Sequence, residues 1–289
     1  MRIPRSVTHH PIPRAARRPL LLLLLTATHA AAGRLTGRGS YTAMSGSLTL
    51  PEVKAAMAAA GEGYVDIREL QLAVGERIGA VMGTEYGVVT NGCAAALAHI
   101  TAACLAGTDP ELQARLPFTD GMPNEVIVQQ CHRFGYDYAI TASGGKLVEV
   151  ETLEEMKAAI SDKTVMMMFL GDALDNHPGE TKVPMATMAA LAQEHGITMV
   201  VDAAAERPDV PNEYLEQGAD VVCYSGGKVL RGPQSGGLMI GKRDILDAAQ
   251  KNQAPNGGIG RPMKVGKEEY MGMLAAVELW VQRDHVKEW

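Results

Sequence analysis

The chain has few aromatic side chains and no apolar run long enough to cross a membrane. Aromatic residues make up 4% of its 289 residues. Residues 20–25 are six consecutive leucines, far short of the roughly 20 apolar residues that a membrane-spanning helix requires. No membrane span is therefore predicted. With 46% hydrophobic and 21% charged residues, the composition is that of a globular domain.

Cysteine is also scarce, and its spacing excludes the usual cysteine-based sites. The four cysteines are Cys93, Cys104, Cys131 and Cys223, and no two of them form a CxxC pair. No histidine lies at zinc-ligand spacing from two of them, so no metal site is predicted. Four reduced thiols in apolar surroundings suit a reducing compartment, and we expect a cytoplasmic protein.

Basic residues are too few to favour a nucleic-acid surface. The formal net charge is −6, and residues 1–33 contribute five arginines and no acid. The other 256 residues carry 22 basic and 33 acidic side chains, a net charge of −11. An acidic body repels phosphate backbones, so tRNA is not an expected partner, although a local basic patch remains compatible with this charge.

Residues 1–33 differ in composition from the rest of the chain. Basic residues, the leucine run and the small residues after it follow the order of a secretory signal, and Arg17-Arg18 also allows a twin-arginine signal. An organelle transit peptide and a misassigned start codon are the alternatives. A genuine leader would imply an exported or organellar protein. The segment is left out of the fold prediction.

From residue 51 onward, short apolar segments alternate with helical patterns. Strands are predicted at 86–90, 125–128, 146–150, 164–170, 198–201, 219–223 and 237–240. Helices are predicted from residue 51 and at 66–82, 93–105, 153–160, 184–195 and 267–283. Three consecutive methionines, 166–168, are interpreted as strand packing. The alternation predicts an α/β fold with a largely parallel sheet.

Two polar residues follow consecutive strands of this sheet. Asp202 ends the strand at 198–201, and Lys228 follows the strand at 219–223 in a Ser-Gly-Gly-Lys sequence. Open α/β sheets bind ligands at the carboxyl ends of their strands. A lysine amine and a carboxylate that pairs with a pyridine nitrogen are the two groups that chemistry with pyridoxal 5'-phosphate (PLP) needs. Asp202 and Lys228 lie 26 residues apart at the ends of neighbouring strands, and we predict that they supply these two groups.

A phosphate group needs hydrogen-bond donors, and two segments offer them. Thr90, Asn91, Gly92 and Cys93 form a strand-to-helix turn, where free backbone N–H groups face an anion. Ser225, three residues before the lysine, adds a hydroxyl. Each signal is weak alone, and their order and spacing together point to a PLP site.

Four segments resemble the selenocysteine-synthase-like branch of fold-type-I PLP enzymes. They are residues 86–96 (YGVVTNGCAAA), 130–137 (QCHRFGYD), 201–206 (VDAAAE) and 225–235 (SGGKVLRGPQS). The branch includes L-seryl-tRNA(Sec) selenium transferase and D-glucosaminate-6-phosphate ammonia lyase. The resemblance runs from residue 39 to residue 284. It implies the three-layer αβα, aspartate-aminotransferase-like fold.

The resemblance also implies roles for individual residues. Lys228 would be the catalytic lysine that forms a Schiff base with PLP, and Asp202 would pair with the pyridine nitrogen. The turn from Thr90 to Cys93 and Ser225 would hold the phosphate. Three further residues would lie near the cofactor or substrate. His132 would stack on the cofactor ring, and Arg231 and Gln234 would contact the substrate; an ion pair within the protein is the alternative for Arg231.

The same comparison implies a domain division. Residues 34–257 would form the PLP-binding major domain with an N-terminal arm, and residues 258–289 would begin a smaller C-terminal domain that is cut short at Trp289. The selenium transferase's N-terminal tRNA-binding domain has no counterpart here beyond the leader. Enzymes of this fold form their sites at a subunit interface, so a homo-oligomer is expected.

The expected reaction begins with removal of the α-proton of a small amino substrate, followed by β-elimination. An amino acid or an amino-sugar acid, free or phosphorylated, would be the substrate of such an ammonia lyase. Two alternatives remain open. One is a selenium-transferase-type reaction on aminoacyl-tRNA. The other is a non-catalytic, truncated homologue that acts as an oligomerising or regulatory protein; intact Asp202 and Lys228 argue against it.

Overall fold

The computed structural model describes residues 42–171 and 182–288, all within one compact unit, Ser40–Trp289. Residues 1–33, interpreted above as a leader, lie outside the described residues. Seven strands form one sheet in the order β1-β7-β6-β5-β4-β2-β3. The strands are β1 Tyr86–Thr90, β2 Glu125–Gln129, β3 Lys146–Val150, β4 Thr164–Leu170, β5 Thr198–Asp202, β6 Val221–Ser225 and β7 Gly237–Gly241.

The helices fall between the strands and after them. They are α1 Pro51–Gly61, α2 Ile67–Met82, α3 Gly92–Ala106, α4 Pro110–Arg115, α5 Tyr138–Ala142, α6 Leu153–Ala159, α7 Met185–Glu194, α8 Glu213–Glu216, α9 Arg243–Lys251, α10 Lys267–Trp280 and α11 His285–Glu288. Two short 3-10 helices, Thr42–Met44 and Gln130–His132, complete the set. Within the described ranges no helix has the length and apolarity needed to span a bilayer.

Helices cover both faces of the sheet, which confirms the predicted three-layer αβα arrangement. One apolar core joins α2, α7 and α10 to one face, and it contains Met167. A second core joins α3, α5 and α9 to the other face, and it contains Met166 and Met168. Successive side chains of a strand point to opposite faces, so the methionine run of β4 fills both cores. The interpretation of these methionines as strand packing is confirmed.

The sheet is mostly parallel, with one antiparallel strand. Strands β5, β4, β2 and β3 pair in parallel with their neighbours, whereas β7 pairs antiparallel with both β1 and β6. The predicted strands all form, with ends that differ by no more than two residues. The clearest shift is β6, which runs from Val221 to Ser225 and thereby brings Ser225 into the sheet.

Several helices were not predicted from the sequence. No helix is predicted at Pro110, yet α4 begins there because Asp109 accepts hydrogen bonds from the N–H groups of Glu111 and Leu112. Proline at the first helical position favours a helix start. Helix α9 also went unrecognised, although Leu246 and Ala249 form a buried face of it. Helices α5 and α8 have five and four residues, too few for a periodic signal.

Candidate active site

The carboxyl ends of three strands meet at one edge of the sheet. Strand β7 runs opposite to both β1 and β6, so β1 and β6 point the same way. Gly237, the first residue of β7, is the register partner of Thr90 on one side and of Ser225 on the other. Asp202 ends β5, next to β6. The topology therefore brings Thr90, Ser225 and Asp202 to one edge.

The side chain of Asp202 is buried and hydrogen-bonded there. The residue is 2% exposed. Its Oδ1 accepts a hydrogen bond from the backbone N–H of Ala204 at 3.0 Å and one from the thiol of Cys93 at 3.2 Å. A buried carboxylate is costly unless donors surround it. These contacts hold the Asp202 carboxylate against the first turn of α3.

The charge of the Lys228 amine acts on the thiol of Cys93, the hydrogen-bond donor to Asp202. Burial raises the pKa of the Cys93 thiol well above its ordinary value, the negative charge of Asp202 raises it further, and Lys228 opposes the rise. Lys228 lies in the turn that follows β6, with its side chain half-buried. Asp202 and Lys228 are thus both close enough to Cys93 to shift the pKa of its thiol.

The turn from β1 into α3 is shaped by two glycines. Gly92 has φ +75°, which favours glycine. A Cβ at Gly237 would lie 2.4 Å from the carbonyl carbon of Gly92 and 2.5 Å from Thr90 Oγ1, so only glycine fits between β7 and the turn. The Thr90 hydroxyl donates to the carbonyl of Gly92 at 2.9 Å.

The N-terminus of α3 is left open at this turn. Asn91 precedes the helix, and its side chain makes no capping hydrogen bond within the described part of the chain. It donates instead to the carbonyl of Lys264 at 3.1 Å. The free N–H groups of a helix's first turn attract anions. The first turn of this 15-residue helix is therefore suited to a phosphate.

The lysine loop, residues 226–234, is held by an N-terminal arm, residues 46–50. The N–H of Ser47 donates to Gly227 O at 2.8 Å, and the N–H of Leu50 donates to Arg231 O at 3.1 Å. The Thr49 hydroxyl reaches Gly232 O at 3.3 Å. These bonds join segments about 180 residues apart in the chain, and nothing in the sequence pattern indicates them.

Arg231 and Gln234 lie on the side of the lysine loop that faces the arm. Arg231 has φ +55°, and its Nε donates to the carbonyl of Leu48 at 3.1 Å. A Cβ at Gly46 would lie 3.0 Å from Gln234 Cγ. Gln234 is exposed. Among the described contacts, both residues meet the arm, and none joins them to Asp202.

His132 lies beside β4. Its ring is fully buried and makes an edge contact with Phe169 at 4.4 Å between ring centroids. Nδ1 lies 3.5 Å from the N–H of Leu170. Burial lowers the pKa of His132 to about 4, so the ring is neutral at physiological pH. The imidazole is an uncharged, firmly packed side chain near the end of β4.

Gln129, which the sequence interpretation missed, organises the neighbouring strand end. Its Oε1 accepts hydrogen bonds from the N–H groups of Lys182 and Val183, and its Nε2 donates to Val183 O at 2.8 Å. A glutamine directly after the apolar residues 126–128 is the sequence signal that was available. It fixes the start of the segment that leads into α7.

The residues at this edge fit PLP in three respects. A buried carboxylate, Asp202, matches the need of a pyridine nitrogen for an anionic partner. An amine, Lys228, lies close enough to the Cys93 thiol to lower its pKa. The open first turn of α3 offers backbone N–H groups to a phosphate. All four cysteines are free thiols, as predicted.

Residues 76–268 match the aminotransferase class-V family. The chain is 34% identical over 254 residues to 5'-C-glycyluridine monooxygenase-decarboxylase from a Streptomyces species, and this alignment covers 84% of the chain and 62% of the relative. It is 31% identical over 253 residues to D-glucosaminate-6-phosphate ammonia lyase from Salmonella typhimurium (strain 14028s / SGSC 2262), covering 84% of the chain and 66% of the relative. The chain thus spans less than two thirds of either relative.

A solved structure gives the same result. The structure of a D-glucosaminate-6-phosphate ammonia-lyase superposes with a TM-score of 0.78 at 30% identity, covering 85% of this chain and 67% of the other. The resemblance to this branch and the predicted fold type are confirmed.

Proposed function

The chain belongs to the aminotransferase class-V family, and we propose that it is a PLP-dependent lyase acting on a small amino acid or an amino-sugar acid. The family and the similarity to an ammonia lyase imply PLP as the cofactor. The observation that carries the proposal is the buried Asp202 carboxylate, which accepts a hydrogen bond from Cys93 in the first turn of α3, at the uncapped N-terminus of that helix.

Each side chain has a part that its position supports. Asp202 would keep the pyridine nitrogen protonated by charge pairing, and the first turn of α3, from Gly92, would bind the phosphate. Ser225, at the end of β6, would add a hydroxyl to that phosphate site. When bound, PLP supplies an electron sink for the negative charge that develops at the substrate's α-carbon.

Lys228 has two tasks in this proposal. Its amine would bind the cofactor covalently, and after release by the substrate it would take the α-proton. His132 would contribute a neutral, rigid ring beside the cofactor. Arg231 and Gln234 would contact the substrate from the side of the lysine loop that faces the arm, where Arg231 Nε donates to Leu48 O.

Ammonia release from D-glucosaminate 6-phosphate tests the reaction directly. We expect PLP-dependent release by the wild-type chain and none by Lys228→Arg, which keeps the charge and lacks the primary amine that a Schiff base requires. Lys251→Arg, at an exposed site on α9, is the matched control and should keep the activity. Release by Lys228→Arg at the wild-type rate would contradict the role of Lys228.

A second reaction is favoured by the 34% identity to 5'-C-glycyluridine monooxygenase-decarboxylase. In that case the substrate would be a glycyl-type amino acid that loses its carboxyl group. Release of CO₂ from 5'-C-glycyluridine in the presence of oxygen, without ammonia release from D-glucosaminate 6-phosphate, would favour this alternative over the ammonia lyase.

We propose a homo-oligomer in the cytoplasm as the working state. Four free thiols support a reducing compartment. Sedimentation of the purified chain with and without PLP tests the oligomer, and a monomer under both conditions would contradict it.

We also propose that residues 34–257 bind the cofactor and that residues 258–289 begin a smaller domain.

A further inference from the structure

The thiol of Cys93 does not face the phosphate-binding turn to which the sequence assigned it. Cys93 is the second residue of α3, so its backbone belongs to that turn. Its Sγ lies 3.2 Å from Asp202 Oδ1, within the range of an S–H···O hydrogen bond. The backbone of Cys93 therefore belongs to the turn proposed for the phosphate, whereas its thiol contacts the carboxylate proposed for the pyridine nitrogen.

We propose that Cys93 is a positioning residue whose thiol holds the Asp202 carboxylate in place for the ring of the cofactor. The inference rests on the proposed function, because it assumes that Asp202 pairs with the pyridine nitrogen. It adds a residue at the ring end of the site that acts through Asp202 alone.

The geometry around Asp202 supports this role. Two donors from different parts of the chain, Ala204 N–H and Cys93 Sγ–H, converge on Oδ1. The first donor follows β5 directly. The second comes from α3, which packs on the sheet face that also carries α5 and α9. A carboxylate held from two sides keeps a fixed orientation, as a functional group must before its ligand arrives.

The chemistry of the thiol suits a permanent donor. Cys93 is 8% exposed, and burial together with Asp202 raises its pKa well above the ordinary value. The thiol therefore stays protonated at physiological pH and cannot act as a thiolate nucleophile. A neutral donor holds the carboxylate without cancelling the negative charge that the pyridine nitrogen needs.

Cys223 provides an internal comparison. It is the register partner of Asp202 on β6 and is fully buried. Burial and then Asp202 raise its pKa well above the ordinary value, so it too is a neutral thiol. Its side chain makes no hydrogen bond to Asp202 among the described contacts. Both thiols are buried near Asp202. Among the described contacts, only the Cys93 thiol donates a hydrogen bond to the carboxylate.

Titration of the full chain with PLP distinguishes the effect of the Cys93 thiol on PLP affinity from that of the Cys223 thiol. We expect Cys93→Ala to weaken PLP binding about tenfold, because an Asp202 carboxylate that has lost this donor must be ordered when the cofactor binds. Cys93→Ser keeps a donor and should bind within about threefold of wild type. Cys223→Ala removes a buried thiol beside the same carboxylate and should bind as wild type does. Equal losses in Cys93→Ala and Cys223→Ala would show a cavity effect and overturn the inference.

The infrared S–H stretch of the ligand-free chain reports the bond itself. The band that disappears in Cys93→Ala should lie below the frequency of a free thiol and move upward in Asp202→Asn, since an amide oxygen is a weaker acceptor. A band at the free-thiol position overturns the inference whether or not PLP binds. Absence of PLP binding by wild type, with the shifted band present, overturns the proposed function and the role of Cys93 towards the cofactor, and leaves only a structural hydrogen bond.

Discussion

Two regions of the candidate site are built in different ways. The Asp202 region consists of strand ends and the first turn of α3, and the hydrogen bonds of its carboxylate are buried or partly buried. The lysine loop, residues 226–234, lies outside the strands, and the arm, residues 46–50, holds it through hydrogen bonds to backbone carbonyls, with both backbone and side-chain donors. Leu48 of the arm is 81% exposed.

This difference indicates how each region depends on the fold. Changes near Asp202 disturb the two apolar cores and should lower the stability of the whole unit. Changes in the arm should loosen Lys228 while leaving the sheet intact, because the arm's buried Leu50 packs with Val53 and Ala276 and belongs to neither of the two cores that flank the sheet. The predictions below test this separation.

The largest effect is expected from Gly237→Ala. The added Cβ would lie 2.4 Å from the carbonyl carbon of Gly92, and backbone at a strand end cannot move away easily. We expect a loss of about 2–4 kcal/mol in the free energy of unfolding, together with loss of PLP binding. Urea unfolding and PLP titration measure both. Gly257→Ala, where a Cβ meets no atom within 4 Å, is the control and should change neither.

Acid should weaken the core through His99 of α3. This residue is fully buried, and burial lowers its pKa from 6.5 to about 4. Between these values the unfolded chain takes up a proton that the folded chain does not. The stability contribution is complete above pH 6.5 and is lost as the pH falls towards 4, by about 3 kcal/mol.

Unfolding measured across this pH window tests the effect. His99→Asn cannot take up the proton, so its stability should fall less steeply between pH 6.5 and 4 than that of wild type. His195→Asn, at an exposed position after α7, should keep the wild-type slope. Identical slopes for wild type and His99→Asn would show that protonation of His99 does not cause the loss of stability at low pH.

Gly46→Ala should separate the two regions. Gly46 has φ +68°, and a Cβ there would lie 2.7 Å from Gly227 O. We expect about 1–2 kcal/mol of local destabilisation, seen as faster amide hydrogen exchange in residues 226–231, with little change in exchange within β5. Gly63→Ala, whose added Cβ meets no atom within 4 Å, should leave both unchanged. Equal acceleration in β5 and the lysine loop would contradict the separation.

The smallest effect is expected from Thr152→Ala. Thr152 and Glu155 form a capping box at the start of α6, away from both regions. Loss of the cap should cost about 1 kcal/mol in the free energy of unfolding and leave PLP affinity unchanged. Thr141→Ala, at an exposed helix position, is the control for loss of a threonine side chain. A marked loss of PLP affinity in Thr152→Ala would show that general destabilisation reaches the site.

Much of the strand framework could be predicted from the sequence, because buried strands are short apolar runs with clear ends. Asp202 and Thr90 were placed at strand ends for that reason, and the structure brings them to one edge. The antiparallel pairing of β7 was not predicted, since periodicity carries no strand direction. Its direction is what places Gly237 between Thr90 and Ser225.

The remaining features depend on contacts between distant residues. Each hydrogen bond between the arm and the lysine loop ends on a backbone carbonyl, and no side-chain pattern indicates which carbonyl is met. The direction of the Cys93 thiol depends on which face of β5 carries Asp202 and on how α3 packs against it. Sequence motifs located these residues near the site, and only the packing showed which atoms meet.

Mapping the covalent attachment of PLP tests the central claim most directly. The full chain would be incubated with PLP, reduced with borohydride and digested, and the modified peptide identified by mass spectrometry, beside Lys228→Arg and Lys251→Arg. We expect the modification on Lys228 in wild type and in Lys251→Arg, and its loss in Lys228→Arg. Modification of other lysines in equal amounts, or an unmodified Lys228 in the wild-type chain, would contradict the assignment of this edge of the sheet as a PLP site.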